Sequence, residues 1–363
     1  MPVMAGRIRD RKKYIVKTLA AFLACMTVSG CAGMPSLRHE NIDSGMQLLE
    51  EGDYEGALAA FSVALAEGES KRELYRGRGI ASYHMGAYED AIAAFDTALK
   101  ETNGIVDAAD YDMNFYLADC YVKTDRINTA IATYTTILNL KKEDAEAFYL
   151  RGRARLMSGD TAGTAEDFAQ VIRLRPTDYD RLFRMYEVYA SEGYPAEGRA
   201  LVESVYETAK ESLSEYQTGR FLYYLGNPKE AMNALENARS GSGAEVIEAV
   251  LLLGRIAEEE GDFDYAEGIY RSYLKNNREN ARVYNQLGLS ELKSGRYDAA
   301  ISDFESGLSL DDASMRQDLT WNIVVAYEYK GEFGTALERL NTYLERYPTD
   351  EKAKREYIFL STR

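Results

Sequence analysis

Small and large apolar residues recur along this chain in one repeating figure. At Gly295-Arg296-Tyr297-Asp298-Ala299-Ala300-Ile301-Ser302-Asp303-Phe304, a glycine is followed by a spacer, an aromatic, an alanine and a large apolar residue four positions further on. Gly86, Tyr88, Ala91 and Phe95 repeat it, as do Gly52, Tyr54, Ala57 and Phe61. Gly261, Phe263, Ala266 and Tyr270 form another copy, and Gly331, Phe333, Ala336 and Leu340 a further one. The apolar residues within each copy follow the helical period. A glycine turn leading into a helix with a small and a bulky residue on one face predicts half of a helical hairpin.

Aligned through the chain, the figure gives repeat starts near Arg38, Arg72, Tyr111, Ala145, Tyr179, Ser212, Ile247, Ala281 and Gln317. The steps are 34, 39, 34, 34, 33, 35, 34 and 36 residues. A small residue recurs early in the first helix (A) of each hairpin: Gly45, Gly79, Ala118, Gly152, Gly219, Gly254 and Gly288. An alanine recurs early in the second helix (B): Ala57, Ala91, Ala130, Ala231, Ala266, Ala300 and Ala336. The bulky residue four later is Phe61, Phe95, Tyr134, Phe168, Leu235, Tyr270, Phe304 or Leu340. Pro176 and Pro348 stand at repeat ends.

This period and signature resemble the tetratricopeptide repeat (TPR) over about residues 38–350. The resemblance implies an all-α fold, a right-handed superhelical solenoid of about nine helix-turn-helix repeats with a C-terminal capping helix. The expected segments are repeats 1–6 over 38–239, a Gly/Ser joint over 240–246 that divides two rigid arms, repeats 7–9 over 247–350, and a cap over 351–363 with its charges outward. Asp53, Asp160, Asn227 and Asp262 suit the N-cap of helix B, and Pro195 and Pro228 suit its first position. Repeats 4 and 5 depart from the signature, with Thr164 in one and Tyr186, Gly198 and Val202 in the other, and altered packing angles are expected there. The 39-residue step predicts a longer loop or helix extension over 102–110.

The N-terminus has a different character. Arg7, Arg9, Arg11, Lys12 and Lys13 precede the apolar stretch Tyr14–Val28, which is short for a membrane span and ends at Val28-Ser29-Gly30-Cys31. Small residues before a cysteine resemble a bacterial lipobox. The resemblance implies a signal peptide over 1–30, cleavage before Cys31, diacylglycerol on its sulfur, an acyl group such as palmitate on the new amino terminus, and a tether over 31–37. Two or three acyl chains anchor stably, at about 0.8 kcal/mol per buried CH₂. Ala32 is not the aspartate of inner-membrane retention, so a two-membrane host favours the outer membrane. The expected location is thus the extracytoplasmic face of the cell membrane or outer membrane.

Charge and chemistry narrow the function. The net charge is −16, and the first 30 residues are basic, so the repeat region is more acidic still. That opposes nucleic acid and anionic membrane surfaces as main partners. The cysteines are Cys25, Cys31 and Cys120, too few for a disulfide framework or a Cys-rich metal site. Cys120 reads as a small core residue. The two histidines, His39 and His84, read as solvated. Acid runs such as Glu258, Glu259 and Glu260 read as a solvated face. No nucleophile, base and metal set or catalytic motif is present, and neither an enzyme nor a cofactor is expected.

Binding is the positive expectation. In TPR arrays the A helices line a concave groove. Carried over slot by slot, the resemblance places Arg76, Ile80, Tyr83, Phe115, Asp119, Tyr149, Arg153, Phe183 and Glu187 there. It adds Tyr216, Arg220, Tyr223, Leu251, Arg255, Asn285, Leu289, Trp321 and Val325. Aromatic anchors beside arginines suit a peptide groove. Arg153, Arg220 and Arg255 share one slot, either as a ladder that grips carboxylates or as partners of acids in adjacent repeats. The Lys/Asn carboxylate clamp of chaperone-binding TPR proteins is missing. The expected function is a membrane-anchored adaptor for a protein or peptide partner, of the kind that serves envelope assembly or secretion. A glycan- or peptidoglycan-binding accessory, using the groove tyrosines and Trp321, is the alternative.

Overall fold

The computed structural model describes residues 40–101 and 107–363. The expected signal segment, Cys31, the expected tether, His39 and residues 102–106 of the expected insertion lie outside the described residues.

The described residues form nineteen α-helices and no strand. They alternate as A and B helices of successive hairpins: α1 (Glu40–Glu51), α2 (Tyr54–Glu67), α3 (Lys71–His84), α4 (Tyr88–Lys100), α5 (Ala108–Lys123), α6 (Ile127–Leu140), α7 (Ala145–Met157), α8 (Thr161–Leu174), α9 (Tyr179–Ser191) and α10 (Pro195–Ala209). There follow α11 (Glu215–Tyr224), α12 (Pro228–Arg239), α13 (Glu245–Glu259), α14 (Phe263–Leu274), α15 (Ala281–Lys293), α16 (Tyr297–Ser309), α17 (Arg316–Lys330), α18 (Phe333–Arg346) and the terminal α19 (Glu351–Leu360). The chain divides into two compact units, one up to Thr133 and one from Tyr134.

Every A-to-B turn has the same construction. One or two residues past the end of helix A the backbone turns left-handed, with φ 82° at Gly52, 84° at Gly261 and 80° at Gly295. In α5 that place is held by Asp125, φ 58°, a residue type that tolerates the strain better than most. The next N–H donates back to a carbonyl five residues earlier, as from Asp53 to Leu48 (2.9 Å) and from Arg296 to Glu291 (2.8 Å). This closure satisfies the carbonyls that a helix end leaves unpaired and fixes the reversal. Asp53, Asp160 and Asp262 cap helix B as expected, whereas Asn227 stands at the cap without a side-chain bond. Pro195 and Pro228 occupy the helix starts.

The small and large signature residues meet. A Cβ added to Gly45 would stand 2.5 Å from the Phe61 ring, and one added to Gly254 would stand 2.3 Å from Tyr270. Helices A and B approach because one side carries no Cβ, and the ring fills the space. In repeat 5 the sizes exchange: Tyr186 is on helix A, and the small residue is Gly198 on helix B, whose added Cβ would meet the Tyr186 carbonyl at 3.1 Å. In repeat 4 the Thr164 hydroxyl is buried and donates to the Gly152 carbonyl across the hairpin (3.0 Å).

Each unit is threaded by apolar clusters. In the first, Phe61 and Leu74 centre one and Phe95, Met113 and Leu117 another. Cys120 belongs to the latter, and burial pushes its thiol up to about 12. In the second unit, one cluster joins Ala231 and Leu235 of α12 to Ala249, Leu253 and Tyr270 of α13 and α14. Packing thus continues across Ser240–Gly243, where a division into arms was expected. Helix α5 begins at Ala108, three residues ahead of the expected start, under a reciprocal Asp107–Asp110 capping box. The cap α19 buries Ala353 and Leu360 against α18, but its outer surface is not purely charged: Tyr357, Ile358 and Phe359 are exposed, Ile358 by 65%.

Candidate functional site

The A helices carry the candidate binding residues, and their local geometry decides what each can offer. In the first unit, the Tyr83 hydroxyl on α3 donates to Asp119 on α5 (2.7 Å). Its ring meets Tyr116 edge-on, with centroids 5.0 Å apart. Burial, then the Asp119 charge, raises the Tyr83 hydroxyl pKa, so it is a hydrogen-bond donor rather than an acid. Burial likewise pushes Tyr116 up to about 12. Arg72 grips Asp107 (2.7 Å) and Asp110 (2.9 Å). Arg76 is half-buried and makes no ion pair among the described residues; its charge opposes the burial that raises Asp112. Phe115 lies edge-on to Tyr111 at 5.0 Å. His84 is exposed, as expected, and its ring also stacks on Tyr54 at 5.0 Å.

In the second unit, Tyr149 on α7 stacks on Phe168 (6.0 Å), with the guanidiniums of Arg153 and Arg181 over it at 5.8 and 5.5 Å. Arg181 also holds Glu146 at 2.7 Å. Arg220 on α11 lies 4.5 Å over Phe183 and 5.9 Å over Tyr216, and pairs with Asp180 at 2.6 Å. Tyr223 donates to Glu259 on α13 (2.9 Å), and Tyr224 donates to Glu187 (3.3 Å). Burial raises both hydroxyls, that of Tyr224 to about 12. Arg282 pairs with Glu248 at 2.7 Å. Polar rungs therefore tie consecutive A helices together.

The arginine slot is split. Arg220 is internally paired, whereas Arg153 and Arg255 form no ion pair among the described residues, and Arg255 is exposed. Three further expected groove residues are engaged, besides Tyr83, Asp119, Glu187, Arg220 and Tyr223. Phe183 is 2% exposed and stacks on Tyr224 at 4.3 Å, so it is core. Asn285 is 6% exposed, and its side-chain oxygen accepts from Asn322 at 2.8 Å. Trp321 lies edge-on to Tyr343 (5.6 Å), with the Lys352 ammonium of the cap 4.6 Å above it. Of the acids read as a solvated face, Glu258 departs from that reading, its side chain 6% exposed and held by Lys293, whereas Glu259 is exposed as expected and is also the acceptor of a rung. The cue was its place one repeat beyond Tyr223, 36 residues on.

Among the described residues, no group of three or more His, Cys, Asp or Glu is arranged to hold a metal ion. Among the same residues, no helix is long and apolar enough to cross a membrane.

Hairpins locked small-against-large, with side chains projecting at equivalent places of successive A helices, define a helical-repeat protein. Two family models, both described as tetratricopeptide repeat, match it: one at 83–154, the other at 42–108, 216–281 and 251–314. Together they span more than half of the sequence, and the chain belongs to the tetratricopeptide-repeat family. A DnaJ homolog subfamily C member 7 homolog of Schizosaccharomyces pombe is 28% identical over 207 residues, covering 56% of this chain and 39% of that protein. The chain thus spans well under half the length of that relative. Among solved structures, yeast Tom70 is 14% identical at a TM-score of 0.48, covering 89% of this chain and 87% of its own. YrrB, described as a TPR protein with an unusual peptide-binding site, is 21% identical at a TM-score of 0.38, covering 47% of this chain and 86% of its own.

Proposed function

We propose that this chain is a non-enzymatic adaptor that holds a protein or peptide partner on its A-helix face, tethered to the cell envelope through a lipid on Cys31. The observation that supports a binding role is the split arginine slot. In an acidic chain with many paired cations, Arg153 and Arg255 stand on A helices with no ion pair among the described residues. Arg153 stands beside the Tyr149 ring, where a carboxylate or carbonyl of an extended segment would find both charge and stacking. The anchor rests on the basic, apolar and small-residue order that ends at Cys31. For the glycan alternative, Trp321 is half-buried, with the Lys352 ammonium over one face of its ring.

Capture of envelope proteins by the full chain, repeated with Arg153→Glu and Arg255→Glu, tests the face. The expected result is loss of the specific partner while folding is kept; an unchanged set of captured proteins refutes it. For the anchor, metabolic labelling with palmitate should disappear in Cys31→Ser, and persistent labelling rules the anchor out.

A further inference from the structure

Repeats 7 and 8 meet around a buried group of carboxylates that partner binding does not use. Glu291, near the end of α15, is 0% exposed and accepts from Arg271 of α14. Arg271 also reaches Asp303 of α16 at 3.3 Å. Glu267, one turn before Arg271, accepts from Arg296 in the α15–α16 turn and from Ser294 (3.2 Å). Arg296 shares its charge with exposed Asp264 at 3.2 Å. From α13, Glu258 takes Lys293 at 2.6 Å and accepts from Tyr270 (3.2 Å). Helix α17 adds apolar side chains, Leu319 and Ile323, to the cluster around Phe304. Two buried atoms, Glu291 Oε2 and Ser290 Oγ, have no hydrogen-bond partner.

The charges do not balance. Glu267, Glu291 and Asp303 are three carboxyls set against two guanidiniums, and one guanidinium is divided with Asp264. An unmatched buried charge is costly, and a carboxyl relieves it by keeping its proton. Arg271 bridges Glu291 and Asp303, so the two carboxyls face one guanidinium. We propose that Glu291 keeps its proton at neutral pH on the unpartnered Oε2, so that this one proton removes the excess charge and locks the junction of repeats 7 and 8. Burial raises the Glu291 carboxyl, with the Asp303 charge adding to it and Arg271 opposing. Burial raises Asp303 too. For an acid raised in the folded state, the stabilisation is complete below its unfolded value and is lost as pH rises through the folded one. In alkali the proton leaves to solvent, two carboxylates face each other, and α15 and α16 loosen.

Hydrogen exchange of the full chain, corrected for intrinsic rates and compared between about pH 6 and 9, reads this lock. The comparison is made in a Glu328→Gln background, because burial also raises the carboxyl of Glu328 on α17. Exchange from α15 and α16 should accelerate about tenfold or more toward the alkaline end. In Glu291→Gln, whose amide copies the protonated acid, the acceleration should vanish. If both proteins show the same profile, the proposal is wrong. Should Glu291→Gln fail to fold, the infrared band of a protonated carboxyl at neutral pH decides. Its presence in the Glu328→Gln protein supports the lock, and its absence overturns it.

Discussion

The Phe304 ring stands where a side chain at position 288 would begin: a Cβ added to Gly288 would lie 2.5 Å from Phe304 Cε1. Phe304 is fully buried and cannot retreat into solvent. Gly288→Ala should therefore destabilise the second unit by about 1–3 kcal/mol, although alanine is the better helix former. Denaturant unfolding would measure it. In a Phe304→Ala background the added methyl finds room, so the two substitutions should be coupled by about 0.5–3 kcal/mol. Simple additivity would show that the two residues do not share one space.

Such pairs are legible in the sequence because both members lie in one hairpin, at a fixed distance set by the helical period. The binding face is less legible. Slot counting assumes that every A helix presents the same arc, yet Phe183 of α9 and Asn285 of α15 are buried. The rungs Tyr83–Asp119 and Tyr223–Glu259 join residues one repeat apart, and no local pattern marks an acid as an acceptor rather than a solvated charge. The outward apolar residues of α19 were missed for a similar reason: which face of a terminal helix is buried depends on how it docks.

Thr164 replaces the usual alanine, and its hydroxyl spans the hairpin to the Gly152 carbonyl while also bonding the Asp160 carbonyl at 2.8 Å. Thr164→Val keeps the shape and removes the donor. A loss of about 0.5–1.5 kcal/mol is expected in thermal or urea unfolding. No loss would mean that the hydroxyl merely fills space.

The shared arginine slot makes a contrast of stability against binding. Arg220 holds Asp180 and covers Phe183, so Arg220→Ala should cost about 1 kcal/mol of stability. Arg153→Ala and Arg255→Ala should stay within about 0.5 kcal/mol of the parent, as unpaired surface changes do. Their effect should fall on partner capture. Equal destabilisation by all three would remove the distinction.

The cap helix carries its own pH dependence. Glu328 on α17 has a buried Oε1 without a partner. Burial, with Glu356 of the cap adding and Lys352 opposing, pushes its carboxyl up to about 7 from an ordinary 4.5. The sign follows from the direction of the shift: the folded state holds the proton more tightly, so the stabilisation is full below about 4.5 and is lost as pH rises through about 7. Above that, a carboxylate is left against Glu356 beneath α19, and the cap should fray first. Amides of α19 should lose protection between about pH 6 and 8 in the parent chain, and Glu328→Gln should keep them protected across that range. A parent whose cap protection is flat with pH, or a Gln variant that frays just as the parent does, would show that the buried carboxyl does not govern the cap.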